Sequence, residues 1–193
     1  MRVILAEKPS VAQSIAAVLG ANQKRNGYLQ GENDLVSWCI GHLIELAPPE
    51  IYDARYAKWR REDLPIVPSA WESVVSDGTK KQFAVLKDLL NRTDVDEVVC
   101  ATDAGREGEL IFRMVYEKTG CTKPVKRLWI SSLEESAIRD GFRSLKPGTA
   151  YDALYRAALC RAQADWLVGI NGTRLYSRLY GTKLNVGRVM TPT

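Results

Sequence analysis

The chain has 193 residues, 46% hydrophobic and 26% charged, a balance that supports a packed core and excludes general disorder. That length suffices for one well-buried α/β domain with a modest remainder, and the formal net charge is only +4. No apolar run approaches membrane-spanning length, and Met1-Arg-Val-Ile-Leu-Ala-Glu-Lys-Pro9 lacks the longer apolar stretch of a secretory signal, so a cytosolic protein is expected.

Arg2–Ala6 reads as a first buried strand. Pro9 and Ser10 suit a helix start and Gly20 a helix end, which brackets the helical pattern Val11–Leu19 and leaves Glu7 and Lys8 at the carboxyl end of the strand. Residues 27–30 and 35–40 flank the turn Glu32-Asn-Asp34 and read as a hairpin or a pair of extended segments. From Ala47 to Ala70 four prolines lie among Tyr52, Tyr56 and Trp59, the pattern of a long ordered loop pinned by aromatics. A helix is expected over about 79–91, with Phe83, Leu86, Leu89 and Leu90 on one face. The apolar run Glu97-Val-Val-Cys-Ala101 reads as a buried parallel strand that passes through Thr102-Asp-Ala-Gly-Arg-Glu107 into an amphipathic helix. Residues 125–130 read as a further strand and about 134–144 as a helix. This alternation points to an α/β fold, a mainly parallel sheet with helices on both faces.

Lys146-Pro-Gly148 is the expected boundary of this first domain, residues 1–148. Residues 149–193 read as a helical segment from Tyr151 to about Gly181, interrupted only by Gly169 and Gly172, and the chain stops after Gly187-Arg-Val-Met-Thr-Pro-Thr193 without an obvious closing element. Residues 151–193 hold six basic against two acidic side chains, whereas residues 1–150 are neutral. A basic excess confined to one segment suits a phosphate-backbone partner, although a solvated helix face gives the same count.

The four cysteines are scattered, without a C-x-x-C pair, and indicate neither a zinc site nor a disulfide framework. Glu7, Asp103 and Glu107 converge on one sheet end if their strands are parallel neighbours. Three such carboxylates repel unless a cation neutralises them, which favours a magnesium site. From spacing alone the alternative stands equally: Glu107 and Glu109 sit in a first helical turn, where negative charge is stabilised by about 0.3 to 1 kcal/mol. Asn171, Arg174 and Arg178 form one polar stripe able to track a phosphate backbone, and Arg161 with Asp165 suits a local ion pair. Tyr176 and Tyr180, at helical spacing, read as core more readily than as base-stacking platforms. His42 has no evident nucleophile partner and reads as a structural histidine.

Several separated segments resemble one family, in its order. Met1–Ser10 looks like the opening of the type IA DNA topoisomerases, especially their bacterial topoisomerase III branch. Trp38-Cys-Ile-Gly-His-Leu43, and Tyr56-Ala-Lys-Trp59 followed by Asp63-Leu-Pro-Ile66, are similar to its next signatures. Ala101–Ile111 resembles the acidic motif of the Toprim domain, and Arg161–Arg174 with Gly187–Pro192 resembles the helical DNA-binding region that follows. The resemblance covers essentially the whole chain. It implies an amino-terminal piece of a longer enzyme: a Rossmann-like Toprim metal-binding domain over 1–148 and the incomplete start of a helical single-stranded-DNA-binding domain over 149–193.

By that resemblance Glu7, Asp103 and Glu107 hold Mg2+, and Lys8 meets the scissile phosphate, so these four make the catalytic set. Lys8, Asn171, Arg174, Arg178 and Arg188 then contact DNA. The commonest family motif carries a second aspartate where this chain has Gly105, which implies one ion rather than two. Family enzymes relax or decatenate DNA by cutting one strand with a tyrosine that becomes linked to a 5' phosphate, passing another strand and resealing. No tyrosine here matches that nucleophile's motif, so the polypeptide alone is expected to be inactive. The implied substrate is single-stranded and negatively supercoiled DNA, and the implied parent is a monomeric, cytoplasmic, nucleoid-associated bacterial enzyme without a membrane partner. A stand-alone Toprim nuclease or primase-like protein, and a non-catalytic nucleic-acid-binding module, remain open alternatives.

Overall fold

A strand, a tight turn and a helix open the chain, as the apolar run and the Pro9 to Gly20 punctuation require. In the computed structural model, which describes residues 1–188 and Thr191, β1 is Arg2–Ala6 and α1 is Pro9–Leu19, with Pro9 in its first turn. Gly20, at φ 74°, ends α1 by donating its N–H to the Ala16 and Ala17 carbonyls. Then follow β2 (Gln23–Arg25), β3 (Tyr28–Gln30), β4 (Asp34–Trp38), β5 (Ile44–Leu46), the one-turn α2 (Pro49–Tyr52), β6 (Ser73–Val75) and α3 (Lys80–Leu90). The chain continues through β7 (Glu97–Ala101), α4 (Arg106–Thr119), β8 (Val125–Arg127), α5 (Glu135–Arg143), β9 (Lys146–Pro147) and α6 (Asp152–Tyr180). The end of the expected Gly187–Pro192 motif, Val189, Met190 and Pro192, lies outside the described residues, as does Thr193.

The chain divides into two compact units, residues 1–44 with 75–158 and residues 45–74 with 159–193. The first holds a seven-stranded sheet in the order β2-β3-β4-β1-β7-β8-β9. Its four central strands are parallel, as expected, but both edges turn antiparallel, at β3 against β4 and at β8 against β9. Lys146 and Pro147 therefore form an edge strand, where proline's missing N–H is tolerated. Ile4, Ala6, Val36, Val99 and Ala101 point to one face and pack with Ala12, Ile15 and Ala16 of α1 and Ile138 of α5. Val3, Leu5, Leu35, Val98 and Cys100 alternate to the other face and are fully buried, each apolar side chain contributing about 1.5 to 3 kcal/mol. On that face Gln82 of α3 donates from Nε2 to Ser37 Oγ at 3.2 Å and to the Trp38 carbonyl at 2.9 Å.

In the second unit the expected proline-rich loop contains short helical turns at 49–52, 54–57 and 61–63. Aromatics pin it: Trp166 packs edge-on against Tyr52 at 6.0 Å and Trp71 at 5.4 Å, and donates its indole N–H to the Ala47 carbonyl at 3.0 Å. α6 runs for 29 residues without a break, so Gly169 and Gly172 do not interrupt it. Gly172 makes room instead. A Cβ at Gly172 would meet Val186 Cγ1 at 2.8 Å, because the segment after Gly181 returns along the helix. Thr173 and Ser177 hold that return: Thr173 Oγ1 accepts from the Val186 amide and Ser177 Oγ from the Leu184 amide, each at 2.9 Å.

Candidate functional site

β1 and β7 are neighbours, yet their following helices go to opposite faces, α1 beside α5 and α4 beside α3. In such sheets the crevice outside the carboxyl ends at this switch point is the natural ligand site. The register pairs Ala6 with Ala101, so Glu7 and Thr102-Asp103 leave the sheet side by side. Glu7 Oε2 accepts the Asp103 amide N–H at 3.2 Å. Lys8, next along, is exposed at the N-cap of α1. β4, on the other flank of β1, delivers His42 shortly after its end. His42 Nε2 contacts Glu107 Oε1 at 2.7 Å, both side chains being substantially exposed. Three adjacent parallel strands thus lead out to Glu7, Asp103 and His42 at one edge of the sheet, and α4 adds Glu107 as the partner of His42.

A buried cation braces this edge from below. The Arg127 side chain is completely buried and every one of its nitrogens is engaged. Nε donates to Glu109 Oε2 at 3.0 Å, Nη1 to the carbonyls of Thr102 at 2.8 Å and Leu128 at 2.7 Å, and Nη2 to the Asp103 carbonyl at 2.7 Å. Glu109, itself buried, also accepts from Arg113 Nε, while Arg113 Nη2 donates to Asp152 Oδ1 at 2.8 Å. Burial works against the Arg113 charge, but the bonds to Asp152 and Glu109 outweigh it and its pKa rises. Glu109 is therefore no mere ornament of a first helical turn; breaking such a buried pair costs about 3 to 5 kcal/mol.

Close approach completes the turn. A Cβ at Gly108 would lie 2.1 Å from the Asp103 carbonyl oxygen, and Thr102 Oγ1 donates to the Gly108 carbonyl at 2.8 Å. Gly105, by contrast, faces open space. Beside Asp103 a cavity of about 350 Å3 opens, lined among others by Val11, Ile15, Thr102, Ser131 and Leu133. Beneath the site two thiols are kept neutral. Burial pushes Cys100 up to about 11 against the opposing pull of Arg127, and burial raises Cys39 further, helped by Cys100 and Glu7.

Among the described residues, no three His, Cys, Asp or Glu side chains stand close enough together to hold a metal ion as placed. Glu107 is turned to His42 and Glu7 to the Asp103 amide. The donor set nevertheless suits a hard divalent cation: carboxylate oxygens at neighbouring strand ends, with the Gly105 space beside them. Glu107 would join by exchanging His42 for the ion.

The polar stripe expected on α6 is divided in its partners, all within the second unit. Asn171 is committed to the proline-rich loop, its Oδ1 accepting the Ile66 amide and its Nδ2 donating to the Ile66 carbonyl at 2.9 Å. Arg174 is only 5% exposed; it donates to the Tyr56 carbonyl at 2.6 Å and lies over the Trp59 ring. Burial lowers its pKa, against the pull of Glu50 and Asp63. Arg178 is exposed. Arg188 makes a two-pronged pair with Asp165, both contacts at 3.1 Å, nearer than Arg161 at 4.0 Å. Tyr176 and Tyr180 are exposed and stack on each other at 6.4 Å.

Sequence reasoning missed Arg127, Gly108 and the place of His42. Only the lone arginine in the apolar stretch Val125–Ile130 carried a signal, since a charge in a buried strand needs partners.

The Toprim domain profile matches residues 2–133. The chain is 55% identical over 192 residues to a DNA topoisomerase 3 of Shouchella clausii, covering 100% of this chain and 26% of that protein. It is 52% identical over 191 residues to one of Bacillus thuringiensis and 51% to one of Staphylococcus epidermidis, covering 26% and 27% of them. It spans about a quarter of the length of these relatives. The fold is similar to that of full-length topoisomerase I from Thermotoga maritima, with a TM-score of 0.65 at 24% identity over 97% of this chain and 28% of that one.

Proposed function

The chain belongs to the Toprim domain family, and from that premise we propose that it is the metal-binding portion of a type IA DNA topoisomerase of the topoisomerase III kind. One observation carries the reading: the β1 and β7 register sets Glu7 beside Asp103 at the switch point of the sheet. Glu7 and Asp103 would hold one Mg2+, with Glu107, which contacts His42, as the further carboxylate of the set. The ion, when bound, neutralises charge on the scissile phosphate and its leaving oxygen. Lys8, exposed at the start of α1, meets the same phosphate as a point charge. Glu7, through the Asp103 amide, holds the two strand ends at one spacing. DNA in single-stranded or negatively supercoiled form is the substrate, cut and resealed through a 5'-phosphotyrosine by the longer cytoplasmic enzyme. On α6 the exposed Arg178 is the side chain free to meet the backbone, while Asn171 and Arg174 shape the loop next to it.

Calorimetry with Mg2+ tests the metal site. Glu7→Gln and Asp103→Asn should each weaken binding by at least about tenfold, the scale of about 1.4 kcal/mol; unchanged affinity in both would sink the reading. The 193-residue polypeptide should form no covalent adduct with single-stranded DNA and relax no supercoils, and either activity would contradict the assignment of the nucleophile to another part of the enzyme.

A further inference from the structure

The most heavily bonded side chain near the site is one that is completely buried. From its geometry we infer that Arg127 is a positioning residue, which sets the affinity of the strand-end site for a divalent cation by fixing the backbone of Thr102 and Asp103. The guanidinium collects the Cys100, Thr102, Asp103 and Leu128 carbonyls and so ties the ends of β7 and β8 to one rigid plane. Glu109 holds Nε and prevents the group from rotating, and the Trp129 ring covers the guanidinium at 4.9 Å. With its carbonyl bound to Nη2 and its amide to Glu7, Asp103 has both backbone groups fixed. Its carboxylate is left as the free, exposed part. Lysine cannot replace this arrangement, because one ammonium has three donors and no fork.

A fixed Asp103 backbone means that the ion does not have to order the turn on binding. Supporting groups of this kind change metal affinity by about 10- to 100-fold when lost. The inference rests on the proposal that Asp103 holds the ion, and the test separates the two.

Mg2+ affinity is measured by calorimetry on the 193-residue chain, and amide exchange at residues 101–104 on the same protein without metal. Arg127→Lys should weaken Mg2+ by about tenfold or more and speed exchange at 102–104 beyond its effect elsewhere. Trp129→Leu removes the cover, and with it a ring stack on Tyr151, at a half-exposed position and should do both more mildly, by about threefold. Leu86→Ala, a core change within α3, serves as the control for lost stability and should leave affinity within twofold. If Arg127→Lys does not fold, Trp129→Leu decides: local exchange and affinity both at wild-type values overturn the inference. So does a Leu86→Ala protein that loses affinity as much as the Arg127 variant. Asp103→Asn in the same series shows whether the metal reading itself has failed, since it must weaken Mg2+ by at least about tenfold even when Arg127 proves irrelevant.

Discussion

Gly105 and Gly108 stand three residues apart and do opposite things. At Gly108 a Cβ would meet backbone atoms of Asp103, which cannot swing aside as a side chain would. Gly108→Ala should therefore cost about 1 to 3 kcal/mol in a thermal or urea melt and weaken Mg2+ about tenfold by pushing Asp103 away. A variant that melts and binds like the wild type would show that the turn yields freely. Gly105 has an extended backbone that any residue adopts, open space around it, and the N-cap position of α4. Aspartate is a favoured N-cap and adds a carboxylate beside the proposed Mg2+ site. Gly105→Asp should leave stability unchanged or slightly higher and tighten Mg2+ by roughly tenfold, about 1.4 kcal/mol by calorimetry; weaker binding would place the ion elsewhere. The acidic residues were legible because an apolar run, a turn and a helix put them at a strand end by local pattern alone. Gly108 and Arg127 were not, because their reasons lie in backbone atoms that only the folded turn brings close.

Helix α6 shows where periodicity stops being informative. Its length was readable from a helical pattern interrupted only at Gly169 and Gly172, as were α1, α3 and the central strands from their apolar spacing. The short polar strands β2 and β9 were not, since three or fewer residues at a sheet edge leave no period to count. Nor does spacing say which face of α6 meets protein. Asn171 and Arg174 share a polar stripe with Arg178, yet the first two serve the loop at Ile66 and Tyr56. Asn171→Ala would leave the Ile66 amide and carbonyl without their partner, costing about 1 to 3 kcal/mol. Trypsin should then cut faster at Arg60 and Arg61, and an unchanged digestion rate would mean that aromatics alone pin the loop. Gly169 and Gly172 read as helix weak points for the same reason: the Val186 segment, which needs the space at Gly172, is held by hydroxyl bonds from Thr173 and Ser177.

Across the molecule, the response to alkali follows from where the thiols sit. Cys39, Cys100 and Cys121 are buried and Cys160 is exposed, so one thiol of four should react quickly with a bulky alkylating reagent in the native state. The folded chain holds Cys100 protonated up to about 11 and Cys39 higher still, whereas an unfolded chain releases both protons near the ordinary thiol value of 9.0. Between those limits the native state binds more protons than the unfolded one, so stability must fall as pH rises. The contribution is fully present below about pH 8.5 and shrinks by up to about 1.4 kcal/mol per pH unit for each thiol above it. Urea unfolding from pH 7 to 10.5 should accordingly show a midpoint that is flat at first and then declines. The double variant Cys39→Ala with Cys100→Ala should begin less stable, having lost buried volume, but should decline much less over the same alkaline range. An equal slope in the two proteins would mean that other groups govern alkaline unfolding, and that the strand ends beneath Glu7 and Asp103 are wetter than their burial implies.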